Sequence, residues 1–164
     1  IKKIIDKTKP DIVVNGISGS AGLEPSCIVL ENSIDLALAN KETVVMAYPL
    51  VHTLAKTNNC RILPVDSEHS AVFSLINHFG RENVARIVLT ASGGPFRTFP
   101  KEKLLKVTLE DALKHPTWNM GSKITIDSAT LANKGLEVIE AAKLFHLPAE
   151  RIQIVVHPQV IVPC

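Results

Sequence analysis

Short β-rich runs alternate with longer helix-like stretches along the whole chain, and the runs end in polar or glycine-rich segments. Residues 11–14 read as a strand, followed by a glycine loop at 16–22 and a helix starting near Leu23, where Pro25 is tolerated in the first turn. A second strand is expected at 34–39. A helix follows over 41–56, which Pro49 should kink. Strands are then expected at 61–65, 85–90, 123–126 and 152–156, and helices at 68–79 and 129–145. This alternation predicts an α/β fold with a mostly parallel sheet, whose ligands sit at the carboxyl ends of strands. The break at Thr57-Asn58-Asn59 is the candidate boundary between two domains, 1–57 and 58–164.

Composition narrows the class. The 164 residues suit one compact domain, or one domain plus part of another, and 46% hydrophobic residues suffice for a packed core. A net charge of +2 without any block of like charges argues against a nucleic-acid or anionic-membrane surface. No apolar run reaches the roughly 18 residues of a membrane span, and the N-terminus does not read as a signal peptide. It also lacks an initiator Met, so an excerpt of a longer chain is expected. Cys27, Cys60 and Cys164 are far apart and odd in number, which favours a reducing cytoplasm over a disulfide or zinc–thiolate framework.

Several constellations carry chemistry. Asp66 and Glu68 are two apart, so an extended backbone would put both carboxylates on one side, where a hard cation such as Mg²⁺ or Mn²⁺ suits them. The bland alternative is an acidic helix N-cap. Ser92-Gly93-Gly94-Pro95 after a strand could bring backbone N–H groups to an anion, or be a plain tight turn. His115 to Gly121 is a polar loop holding the single Trp, Trp118, as a core anchor or part of a lid. Ser128 would stand at a helix start, favourable for phosphate, with Asn133, Lys134 and Glu137 sharing a face beyond it. There the bland alternative is a capped surface helix with a Lys–Glu pair. The loop glycines at 16, 19 and 22 do not fit the classical dinucleotide fingerprint.

The order and spacing of these segments are more specific than any one of them. LANKET (38–43), LPVDSEHSA (63–71), LTASGGPF (89–96), HPTWNMGSKITIDSATLANKGLEVIEA (115–141) and VHPQ (156–159) closely resemble the 1-deoxy-D-xylulose 5-phosphate reductoisomerase family. The resemblance implies that Asp66, Glu68 and Glu137 bind Mg²⁺ or Mn²⁺, and that Lys41 and Ser67 contact the hydroxyl-bearing backbone of the substrate. It implies a phosphate-end site of Ser92, Ser128, Asn133 and Lys134 with His115 nearby. Asn40, Glu42 and Gly121 would contact NADPH, and Trp118 and Met120 would belong to a lid. The implied reaction rearranges the sugar phosphate and reduces the resulting aldehyde with NADPH, in the non-mevalonate route to isoprenoids.

The family also implies a homodimer in the cytoplasm, or in a plastid-type compartment of a plastid-bearing organism. Residues 1–57 correspond to the end of its Rossmann-like NADPH-binding domain, and 58–164 to its metal- and substrate-binding catalytic domain. The early glycine fingerprint and the C-terminal helical domain have no counterpart here, so the 164-residue chain alone is expected to be inactive. The competing classes are a metal-dependent sugar-phosphate isomerase or aldolase without nicotinamide, and a non-catalytic phosphate- or metal-binding fragment.

Overall fold

The computed structural model describes residues 1–159, 161 and 162; Val160, Pro163 and Cys164 lie outside the described residues. The first half begins with α1 (Lys2–Thr8) and builds three strands: β1 (Ile12–Asn15), β2 (Asp35–Leu38) and β3 (Ile62–Pro64). They pair in parallel with β2 in the middle. Their crossovers are α2 (Leu23–Glu31) and α3 (Lys41–Thr57). A central parallel strand is covered on both faces and therefore reads as a continuous apolar run. Leu36, Ala37 and Leu38 of β2 are accordingly all buried. Leu36 and Leu38 share one core with Leu30 of α2 and Val44 and Val51 of α3.

The second half contains α4 (Ser67–Phe79), β4 (Ile87–Ala91), α5 (Lys101–Leu104), α6 (Leu109–Leu113), α7 (Ser122–Ala129), α8 (Ala132–Leu144) and β5 (Ile152–Val156). β4 and β5 form a separate parallel pair. Ile87 and Leu89 of β4 meet Val72 of α4 and Ala141 of α8 in a second core, joined by Phe145. Leu144 packs against both cores, and α8 lies on α3, so the halves are held side by side. The α/β class and the parallel pairing agree with the sequence reading. β3 completes the first sheet although it follows residue 57.

Pro49 distorts α3 as expected. It has no N–H for the carbonyl one turn earlier, and Ala47 leaves helical geometry at φ −138°, ψ 27°. Other expectations are corrected. Residues 123–126 are not a strand but part of α7. The alternation of Ile124 and Ile126 is overridden by spacing of four: Thr125 and Ala129 are buried, and Lys123 pairs with Asp127 at 2.7 Å. The expected helix over 129–145 starts only at Ala132, because Leu131 adopts a left-handed conformation at φ 60° and turns the chain between α7 and α8. The helices α1, α5 and α6 were not anticipated.

This burial pattern predicts a contrast between two leucines. Leu36 is 0% exposed and Leu105 is 94% exposed. Leu36→Ala should cost about 2–5 kcal/mol in urea unfolding, and Leu105→Ala less than about 0.5 kcal/mol. Equal unfolding midpoints for the two variants would remove β2 from the centre of the core.

Candidate active site

Asp66 follows β3 directly and is the N-cap of α4. Its Oδ1 accepts the Glu68 N–H at 3.2 Å. Glu68 therefore sits in the first helical turn, and the two carboxylates converge through helix geometry, not through the expected extended backbone. The capping and ligand readings are thus compatible. Glu137 reaches the same point from α8, and one oxygen each of Asp66, Glu68 and Glu137 lie within 4.8 Å of one another. This all-oxygen set fits a hard divalent cation.

Two ammonium groups sit among these carboxylates. Lys41, the first residue of α3, lies 2.9 Å from Asp66 Oδ2, 2.9 Å from Asn133 Oδ1 and 3.2 Å from Glu137 Oε1. Lys134 donates to Glu68 Oε1 at 2.7 Å and Glu137 Oε2 at 2.5 Å. Burial works against a charged Asp66, but hydrogen bonds from His69 and Lys41 hold it well below the usual carboxylate range. Burial, then repulsion from Asp66, pushes Glu137 up, although Lys41 and Lys134 oppose the shift. Burial opposes the charge on Lys41 too, yet Asp66 and Glu137 raise its pKa. A divalent cation would relieve the repulsion that Glu137 carries.

Asp66, Ser67, Glu68 and Glu137 line a cavity of about 500 Å³ that also takes in Ser92, His115, Ser128, Asn133 and Lys134. Ser92 and His115 in the same cavity have a determined proton arrangement. His115 Nδ1 accepts the N–H groups of Thr117 at 3.2 Å and Trp118 at 2.9 Å, so it carries no proton. The proton is on Nε2, which donates to Ser92 Oγ at 3.1 Å. Ser92 Oγ also accepts the Gly94 N–H at 3.2 Å. With both lone pairs used, its own O–H is left as a donor. Gly94, at φ 66°, lies against the backbone of α7, where an added Cβ would come within 2.7 Å of the Ser128 carbonyl oxygen. That contact docks the glycine loop on α7.

Some residues stand differently from expectation. Ser128 is near the C-terminal end of α7, not at a helix start, so it has no N-terminal dipole to offer. Asn133 and Lys134 point into the carboxylate cluster. Trp118 is 53% exposed and lines the cavity with Met120, so it is no core anchor.

Asn40, Glu42 and Gly121 lie outside the cavity lining. Asn40 is buried and binds the glycine loop through the Ile17 and Gly19 carbonyls, at 2.5 and 2.8 Å. Gly16 and Gly19 face open space, which leaves that loop free to take a ligand along its surface. Glu42 is bound by Lys123 of α7 at 2.7 Å, two residues beyond Gly121.

The sequence reading missed three participants. His69 and Glu140 are buried beside the carboxylates, and Lys123 bridges Glu42 and Asp127. Each lies one helical turn from a residue that was singled out: His69 from Asp66, Glu140 from Glu137, Lys123 from Asp127. That spacing was the available signal.

Known proteins share these features. A sequence profile of the 1-deoxy-D-xylulose 5-phosphate reductoisomerase C-terminal domain matches residues 62–145, and a second profile, of 1-deoxy-D-xylulose 5-phosphate reductoisomerase, matches residues 1–48. The reductoisomerase of Treponema denticola is 57% identical over 99% of this chain and 42% of its own length. That of Chlorobaculum tepidum is 60% identical over 93% of this chain and 40% of its own. A crystal structure of DOX-P reductoisomerase in complex with NADPH, fosmidomycin and magnesium superimposes with a TM-score of 0.86 at 40% identity. It covers 95% of this chain and 41% of that one. The Zymomonas mobilis enzyme in complex with NADPH gives a TM-score of 0.86 at 41% identity, over 99% of this chain and 42% of that one. The chain thus spans less than half the length of these relatives.

The His115 arrangement makes a pH prediction. Burial lowers its pKa from the ordinary 6.5, so the neutral ring is favoured in the fold. The stabilisation is fully present above 6.5 and is lost as pH falls through the lowered value. A proton on Nδ1 would face the N–H groups of Thr117 and Trp118. Their backbone amide resonances should therefore shift together in that window in wild type and stay flat in His115→Gln. Flat resonances in wild type would refute the tautomer assignment.

Proposed function

Because this chain belongs to the 1-deoxy-D-xylulose 5-phosphate reductoisomerase family, we propose that the protein carrying it converts 1-deoxy-D-xylulose 5-phosphate to 2-C-methyl-D-erythritol 4-phosphate at the expense of NADPH. The observation that carries this reading is the convergence of Asp66, Glu68 and Glu137 in a cavity that Ser92 and His115 also line. Carboxylates suit a cation and neutral donors suit a phosphate. The presence of both in one cavity suits a substrate that has a hydroxyl-bearing end and a phosphate end.

Asp66, Glu68 and Glu137 hold Mg²⁺ or Mn²⁺, which as a Lewis acid polarises the neighbouring carbonyl and hydroxyl oxygens of the substrate. Lys41 and Ser67 bind the substrate backbone. Lys41 also acts with the three carboxylates in catalysis, since its ammonium, kept charged by Asp66 and Glu137, can donate a hydrogen bond to the reacting oxygens. Ser92, His115, Ser128, Asn133 and Lys134 anchor the phosphate, which supplies binding energy remote from the reacting carbons. Trp118 and Met120 close over the cavity and exclude water. NADPH would supply the hydride, with Asn40, Glu42 and Gly121 as its contacts. The link from Asn40 to Gly19 and the Glu42–Lys123 pair beside Gly121 support that grouping.

The same proposal divides the chain near residue 57 into the end of a cofactor-binding domain and a catalytic domain. The two separate cores support the division, with β3 reaching back to complete the first sheet. It further assigns a cytoplasmic homodimer with no nucleic-acid or membrane partner. Ile154, Val155 and Val156 leave β5 an exposed apolar strand that an assembly could cover, and among the described residues no helix is long and apolar enough to cross a membrane.

The test is a calorimetric titration of fosmidomycin into the full-length protein with and without Mn²⁺. Binding should require Mn²⁺. Glu137→Gln should weaken it by ~30-fold or more, the 2–5 kcal/mol typical of removing one member of a buried charge cluster. Metal-independent binding of equal strength in both proteins would reject the metal-site assignment.

A further inference from the structure

His69 and Glu140 form a buried pair behind the metal-binding carboxylates that the mechanism above does not use. His69 is 0% exposed and Glu140 is 1% exposed, although both carry polar groups that need partners. His69 lies three residues beyond Asp66 on α4, and Glu140 three beyond Glu137 on α8. Asp66 and Glu137 therefore each have a polar residue one turn further along the chain, and these two residues meet.

The imidazole joins the two helices. Its Nε2 lies 2.9 Å from the main-chain carbonyl oxygen of Glu137. A carbonyl only accepts, so Nε2 carries a proton and donates it. Nδ1 lies 3.2 Å from Asp66 Oδ1 and 3.4 Å from Glu140 Oε2. Glu140 Oε2 makes no hydrogen bond, so the Nδ1 contact to Asp66 is the directional one and Glu140 packs beside the same nitrogen. The ring is further fixed by stacking on Phe145, with centroids 6.1 Å apart and an 18° interplanar angle. One ring thus holds the side chain of Asp66 with one nitrogen and the backbone of Glu137 with the other.

Resting on the metal-site reading above, we infer that His69 and Glu140 are positioning residues. His69 orients the Asp66 carboxylate and sets its distance from Glu137, and Glu140 holds the imidazole in place. With Oδ1 engaged by His69 and the Glu68 N–H, Asp66 presents Oδ2 toward Lys41 and the other ligands. Partners that orient a ligand in this way typically change metal affinity by about 10–100-fold when removed.

The experiment measures Mn²⁺ affinity in the full-length protein by electron paramagnetic resonance, without substrate, and NADPH affinity in parallel. His69→Phe keeps a ring against Phe145 and removes both donors. It should weaken Mn²⁺ binding by ~10-fold or more and leave NADPH affinity unchanged. Glu140→Gln keeps the shape and should weaken Mn²⁺ several-fold, which covers the case in which His69→Phe does not fold. His69→Asn, with an amide donor able to serve Asp66, should recover part of the loss. Wild-type Mn²⁺ affinity in folded His69→Phe, or in Glu140→Gln, would overturn the inference. So would a second Mn²⁺ lost in Glu140→Gln, since Asp66, His69 and Glu140 would then be ligands themselves. Glu137→Gln separates the two levels. If it too leaves Mn²⁺ affinity unchanged, the metal-site reading fails. If it alone abolishes binding, only the positioning role fails.

Discussion

The Lys41 ammonium, 2.9 Å from Asp66 Oδ2 and 3.2 Å from Glu137 Oε1, joins the two halves of the fold through charge. Lys41 begins α3, which belongs to the first core, whereas Asp66 and Glu137 stand on helices of the second. A cation at a helix N-terminus is opposed by the helix dipole. Burial opposes it as well. What keeps it charged is the set of acceptors around it, and those acceptors in turn need it. Such buried clusters contribute little net stability compared with well-packed apolar residues, yet losing one member costs several kcal/mol. The cluster therefore makes poor sense as a stabilising device and good sense as a binding site whose parts hold one another in register.

Much of the site was legible in the sequence, though not always for the right geometric reason. Asp66 and Glu68 were picked out as convergent carboxylates on an extended backbone. They converge because Asp66 caps α4 and Glu68 lies in its first turn. Spacing of two is ambiguous between strand and helix start, and the apolar run before Asp66 did not decide it. Residues 123–126 were misread because two isoleucines at alternate positions imitate a strand. The residues that determine α7 are buried Thr125 and Ala129 and the Lys123–Asp127 pair, all four apart. His69 and Glu140 were harder to find for another reason: each stands one turn from a candidate carboxylate, but nothing in a sequence says which polar residues of two distant helices will be buried against each other.

The corner between α7 and α8 explains why Ser128 and Lys134 share a cavity without sharing a helix face. One continuous helix would have carried them in directions fixed by helical periodicity. Leu131, left-handed at φ 60°, breaks that phase. For a residue with a Cβ this conformation costs roughly 1–2 kcal/mol, and it persists here because both flanking helices are anchored. Gly94 presses on the end of α7, and α8 is tied to α3 through Asn133 and Glu137. Local strain is thus held by contacts from two other segments, the arrangement expected where a corner serves a site.

Charge accounting gives the cavity a direction. Asp66, Glu68 and Glu137 are paired with Lys41 and Lys134, and three carboxylates gathered at one point disfavour a phosphate placed beside them. Ser92 and neutral His115, which line the same cavity, offer donors without net charge. Under the proposed reading a divalent cation held by the carboxylates would offset that repulsion. Glu68 and Glu137 would then hold Lys134 less tightly, and its ammonium could turn toward the phosphate. Under that reading the assignment of Lys134 to the phosphate and its observed place among the carboxylates would be two states of one side chain.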